Sequence, residues 1–319
     1  MFPPWGWSFF LLLLVLAPSW AVAQSTSTAA KPDTTAIAQK ALHLAETGNC
    51  SEALPLLNKT VGQTSDKDVK RKIGLAGVHC AMTLNEPNSA VGFLQVLTRE
   101  FPHDPEVLYA AVHAYSDLST MASQELGRTA PSSLQAHELL AESYEMQAKW
   151  TDAEKEYRTI LKQDPKLPGI HFRLGRLLLS KPNPSPEIAE EAKKEFEQEL
   201  QIDPSNAGAE YVLGELARQN QHFDDAVTHF SRAAKLDTHF GEAYLGLGIS
   251  LMAEKRYPDA VAPLETAVKL EPRNPDAHYN LATAYTRSGR KQDGQKEFAI
   301  HQRLIGSQTN APSDDSRQQ

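Results

Sequence analysis

Residues 223–238 read FDDAVTHFSRAAKLDT, and residues 257–272 read YPDAVAPLETAVKLEP, the same pattern displaced by 34 positions. Surface residues differ between the two copies, whereas the small and the large apolar positions are kept. Extended in both directions, the period aligns segments 134–167, 207–240, 241–274 and 275–308 without gaps, and 168–206 fits with five additional residues. Within each segment apolar residues recur at steps of three and four, in two runs separated by a short polar turn. That is the mark of two amphipathic helices. One such hairpin has an apolar face it cannot bury alone, so the chain repeats the unit until stacking covers it. The predicted fold class is all-α, a solenoid of helical hairpins.

In block 241–274 the first run carries Tyr244, Leu247, Gly248 and Leu251, and the second carries Ala260, Leu264, Ala267 and Pro272. On these residues the blocks resemble tetratricopeptide repeats (TPRs), here of a secreted bacterial type. The resemblance extends over roughly residues 34–308, is densest from 134 onward, and implies a right-handed superhelical solenoid of about eight hairpins. Gly175, Gly214 and Gly248, with Ala141 and Ala282 in the same slot, are small because the two helices of a hairpin cross there. Ala153, Ala192, Ala226 and Ala260 are their small partners, and Tyr157, Phe196, Phe230, Leu264 and Phe298 fill the space beside the crossing. Pro165, Pro204 and Pro272 end second helices, since proline lacks the amide donor; Thr238 replaces the proline in one block.

Upstream, in residues 34–133, the pattern is degenerate. Ala41, Gly48 and Ala53 fall in register for a block at about 34–67, and Ala90 and Pro102 for a block at 71–104. Residues 105–133 read as a shortened hairpin whose first helix ends near Tyr115 and whose second carries Ala122 and Leu126. In the last block Gly294 and His301 stand where the pattern favours Ala, as in a terminal repeat with one face in solvent. The additional residues of block 168–206 form a proline-rich loop, in which Ser185 and Pro186 supply an N-cap and a first-turn residue for the next helix.

Residues 1–23, MFPPWGWSFFLLLLVLAPSWAVA, carry no charged side chain. Their apolar run from Phe9 to Ala17, followed by Pro18 and the triplet Ala21, Val22, Ala23, reads as a signal peptide cleaved after Ala23. The run is shorter than the roughly 20 residues of a spanning helix, although the whole uncharged stretch would serve as an uncleaved anchor. Residues 24–33 read as a flexible leader and 309–319 as a disordered tail.

A formal net charge of -8 excludes the clustered cationic surface that phosphate neutralisation requires, so no nucleic-acid partner is expected. The same balance speaks against a polybasic membrane contact after cleavage. No nucleotide-binding, hydrolase or metalloprotease motif is present, and no cofactor is expected. His137, His171 and His278 share one repeat position on successive hairpins and read as packing residues, which leaves no convergent metal ligands. Cys50 and Cys80 lie on neighbouring hairpins and form a disulfide candidate in an oxidising compartment; two buried thiols are the other reading.

The resemblance implies an inner groove lined by the first helices. Its fifth repeat position reads Glu138, Phe172, Tyr211, Leu245 and Tyr279; Ile249 and Met252 follow in one block, and Arg176, Arg218 and Arg287 flank the strip. An exposed row of aromatics beside guanidinium groups is the composition of a peptide-binding groove, although tyrosine at this position also fits plain stacking on the adjacent helix. Asn280 is the only Asn at the sixth position, so the family's clamp for a C-terminal carboxylate is not in place. The expected protein is an exported, periplasmic or extracellular, non-catalytic scaffold that binds a protein or peptide partner and self-associates weakly. Two alternatives stay open: a membrane-anchored assembly factor, and an enzyme or sugar-binding protein built on Glu138, Glu142 and Glu145.

Overall fold

A computed structural model describes residues 34–309, so the expected signal peptide, the leader and residues 310–319 lie outside it. The described residues form fifteen helices and no strand. They fall into two units, which divide between Met121 and Ala122.

In the first unit α1 (Thr34–Glu46) and α2 (Cys50–Val61) form one hairpin, and α3 (Lys67–Thr83) and α4 (Pro87–Glu100) form a second. Ala41, Ala53, Leu57, Ile73, Phe93 and Leu97 build their shared core. Cys50, at the start of α2, is bonded to Cys80 on α3 with a Cα–Cα distance of 4.9 Å, and both are buried.

The expected short hairpin over 105–133 is not formed. α5 (Pro105–Thr129) is one continuous helix of 25 residues. Each complete 34-residue hairpin reverses on a residue of positive φ at repeat position 15: Gly48 (79°), Asn85 (58°), Ala148 (55°), Gln221 (63°), Lys255 (64°) and Gly289 (89°). The corresponding stretch of α5, around Ser119, holds no left-handed residue and no proline, so nothing interrupts the backbone ladder. The described residues therefore comprise seven hairpins and one long helix rather than eight hairpins.

The second unit stacks five hairpins: α6 (Leu134–Met146) with α7 (Trp150–Gln163), α8 (Ile170–Ser180) with α9 (Pro186–Ile202), α10 (Ala207–Gln219) with α11 (Phe223–Leu236), α12 (Gly241–Ala253) with α13 (Tyr257–Leu270), and α14 (Pro275–Arg287) with α15 (Lys291–Thr309). The small residues stand at the crossings. A Cβ added to Gly175 would lie 2.8 Å from Phe196, and one on Gly214 would lie 2.9 Å from Phe230. Ala153, Ala192, Ala226 and Ala260 are fully buried, as are Tyr157, Phe196, Phe230 and Leu264. Phe298, in the last described hairpin, is only half-buried.

Pro165, Pro204 and Pro272 each stand two residues past the last residue of their helix, yet α11 ends at the same place before Thr238. The aspartate at the helix end supplies the reason. Asp164, Asp203 and Asp237 accept from the backbone N–H two residues on, at 3.0, 3.0 and 2.8 Å. Ser185 occupies the N-cap of α9 but makes no side-chain bond to the helix backbone. Its hydroxyl bonds Glu187 instead and holds that carboxyl below its usual range.

The shared histidines are more than packing residues. His137, His171 and His278 bond through Nδ1 to Glu156, Glu195 and Glu297 on their own second helices, each at 2.6 Å. Between α10 and α11 the pair is exchanged, with Glu210 on the first helix and His229 on the second, again at 2.6 Å. Each imidazole thus closes its own hairpin. Among the described residues no three His, Cys, Asp or Glu side chains converge on a metal position.

Candidate functional site

The first helices of the second unit carry the candidate groove, and side-chain contacts set them side by side. Arg173 on α8 pairs with Glu138 at 3.3 Å and with Glu142, both on α6. Arg176 lies 3.9 Å from Glu145. The ring of Phe172 leans against Gly208 of α10, where a Cβ would lie 3.0 Å from the ring edge.

Between α6 and α8 a hollow of about 490 Å³ is lined by Glu142, Glu145, Met146, Tyr157, Phe172 and the two arginines. Met146, 84% exposed, stands at its rim. The Tyr157 hydroxyl donates to Glu145 at 2.6 Å. Burial, reinforced by that carboxylate, raises the phenol far above its ordinary pKa, so it stays a donor. Burial opposes the charge of Arg173, but the bonds to Glu142 and Tyr157 and the nearby Glu138 together outweigh it, and the guanidinium pKa is raised.

A buried carboxylate fixes the start of α8. Glu199, fully buried on α9, accepts from the N–H of Gly169 at 2.8 Å, the N–H of Phe172 at 3.3 Å and Asn206 Nδ2 at 3.4 Å. The two backbone donors are N–H groups that a helix start leaves without intrahelical partners. Gly169 itself is left-handed, with φ 87°. Through this anchor Glu199 orients the turn that bears Phe172, Arg173 and Arg176.

The aromatic row is not evenly exposed as expected. Phe172 is half-buried, its ring edge-on to Phe196 at 5.7 Å. Tyr211 is half-buried against Phe230 at 5.8 Å and Phe240 at 4.8 Å, and burial raises its phenol pKa. Leu245, Ile249 and Met252 are half-buried along α12. Tyr279 is the exposed member, edge-on to Phe298 at 5.6 Å and beside His301 at 5.3 Å.

The flanking arginines differ as well. Arg218 is held to Glu215 on its own helix at 2.6 Å, whereas Arg176 and Arg287 are exposed, Arg287 lying 6.0 Å from the ring of Tyr257. Arg173, Glu199 and Met146 were not among the residues expected at the site. A signal for Arg173 existed: at the sixth repeat position it falls 35 and 31 residues after Glu138 and Glu142, close to one period.

The description "Tetratricopeptide repeat" matches residues 139–207 and 211–267, and "TPR repeat" matches 250–289. Over these residues the chain is built of tetratricopeptide repeats. No curated protein matches it in sequence.

Among solved structures it is similar to a double mutant of MamA RS-1, with 15% identity and a TM-score of 0.50 over 56% of this chain and 97% of that one. MamA from Desulfovibrio magneticus RS-1 gives 15% and 0.48 over 55% and 96%. YrrB, described as a TPR protein with an unusual peptide-binding site, gives 19% and 0.49 over 57% and 92%. At these identities the likeness concerns the fold alone.

Proposed function

We propose that the chain is a non-catalytic, exported scaffold that holds an extended segment of a protein partner along α6, α8, α10, α12 and α14. The observation that carries this reading is the hollow between α6 and α8, where the exposed Met146 and the half-buried Phe172 offer apolar contact beside Arg173 and Arg176. Such a mixture suits recognition of a peptide with both apolar and polar side chains. The carboxylates of the hollow are bonded to Arg173 and Tyr157, an arrangement that orients a ligand rather than activates one. Leu245, Ile249, Met252 and Tyr279 extend the apolar contact along the same set of helices.

Export is supported by the uncharged, apolar residues 1–23 and by the buried bond between Cys50 and Cys80. N-terminal sequencing of the mature protein separates a cleaved, soluble form from an anchored assembly factor. Selection from a library of unstructured 12-residue peptides tests the groove. Peptides selected by the wild type should lose at least tenfold in affinity for Arg176→Glu/Tyr279→Ala, two exposed positions whose change leaves the core intact. Unchanged affinity refutes the assignment.

A further inference from the structure

The helix α5 stands where a first helix of a repeat should stand, with no second helix closing it. Its sequence keeps the register: Pro105, Tyr109, Ala114 and Tyr115 match Pro275, Tyr279, Ala284 and Tyr285 of α14. Val107, Ala111 and Ala114, at repeat positions 3, 7 and 10, are buried in the core of the first unit. Leu108 and Val112, at positions 4 and 8, are 47% and 67% exposed, and Tyr115 at position 11 is 47% exposed. In complete hairpins positions 4 and 8 face the second helix, as with His278 against Glu297 and Gly214 against Phe230.

The apolar stripe also runs on past the repeat. Leu108, Val112, Tyr115, Ser119, Ala122 and Leu126 follow one another at steps of 4, 3, 4, 3 and 4 residues, the spacing of a heptad seam. Their sizes are self-complementary when two such helices run antiparallel. Leu108 then faces Leu126, Val112 faces Ala122, and Tyr115 faces Ser119, so large residues meet small ones at the inner layers. The charged residues Glu106, Asp117, Glu125 and Arg128 all lie off the seam.

We propose that α5 is a self-association surface through which two copies of this chain pair antiparallel, each supplying the helix that the other's repeat lacks. The occupant follows from two observations: the face holds the repeat positions that a second helix covers in the other hairpins, and its large and small residues complement one another about a two-fold axis near Asp117. The seam from Leu108 to Leu126 of this helix is about 27 Å long. One helix pair falls below the area of a standard stable interface, so the dimer is weak, with a dissociation constant on the order of micromolar. The proposal is independent of what the groove binds.

Sedimentation velocity of the full chain from about 1 to about 500 µM brackets that constant. The wild type should pass from monomer to dimer across the range, and Val112→Glu and Ala122→Glu should each weaken the dimer at least tenfold with unchanged helicity. Under mild oxidation the double variant Val112→Cys/Ala122→Cys should form an intermolecular bond that neither single variant forms. A monomer at every concentration, a dimer indifferent to both glutamates, or a single Val112→Cys variant that cross-links to itself would each overturn the proposal.

Discussion

Replacing Glu199 by leucine tests how the start of α8, and with it the hollow, is held. The wild-type carboxylate is fully buried and accepts two backbone N–H groups and one side-chain amide. Leucine fills a similar volume but leaves the N–H groups of Gly169 and Phe172 without an acceptor. Each orphaned buried donor costs about 1–3 kcal/mol. The 2.8 Å bond to Gly169 should count near the top of that range and the 3.3 Å bond to Phe172 near the bottom, giving about 4 kcal/mol in total.

Glu199→Gln keeps one acceptor oxygen and should lose about half as much. Urea unfolding, followed by far-UV circular dichroism and by Trp150 fluorescence, measures both variants. Hydrogen exchange should show the amides of residues 169–173 losing protection first in the leucine variant. If Glu199→Leu is as stable as the wild type, or if the glutamine variant is the worse of the two, the carboxylate is not the anchor of α8.

Further outcomes follow from other parts of the chain. Replacing Cys50 and Cys80 by alanine opens a cross-link spanning 30 residues and should destabilise the first unit by about 3–4 kcal/mol on the loop-entropy scale, read from denaturant midpoints. Lys255, held at φ 64°, should accept glycine with a gain of about 0.5–1 kcal/mol in thermal or denaturant unfolding, because a left-handed side chain is strained and glycine is not. Burial, aided by the bond to Glu265, pushes the Tyr285 phenol up to about 12 from an unfolded value of 10.0. Its contribution is therefore complete below pH 10.0 and is lost as pH rises towards about 12; the stability difference between wild type and Tyr285→Phe should shrink across that window.

The parts of this structure legible in the sequence are those encoded within one period. Gly175, Gly214 and Gly248 recur beside Phe196, Phe230 and Leu264, so the crossing of each hairpin follows from spacing alone. The reversal at repeat position 15 was harder to see, because Ala148, Gln221 and Lys255 have no composition that marks a left-handed turn. The same weakness let α5 pass for a hairpin: Ala122 sits in a plausible second-helix position, and only the unbroken backbone distinguishes the two. The exchange of Glu210 with His229 becomes visible once positions 4 and 23 are compared across blocks, since the other pairs place His first and Glu second. The hollow was hidden for a different reason. Arg173 meets glutamates 31 and 35 residues earlier in the preceding block, and Glu199 reaches back 30 residues to Gly169 near the start of its own block, contacts that the apolar periodicity does not encode.

Site-specific photocross-linking bears most directly on the claim that the first helices of the second unit hold a partner segment. A photoreactive phenylalanine analogue at Tyr279, exposed on α14, is compared with one at Glu197, exposed on the second helix α9. Irradiation in cells should attach a discrete partner from position 279 and leave position 197 unlinked. Attachment from 197 alone would place the partner on the second helices and contradict the account.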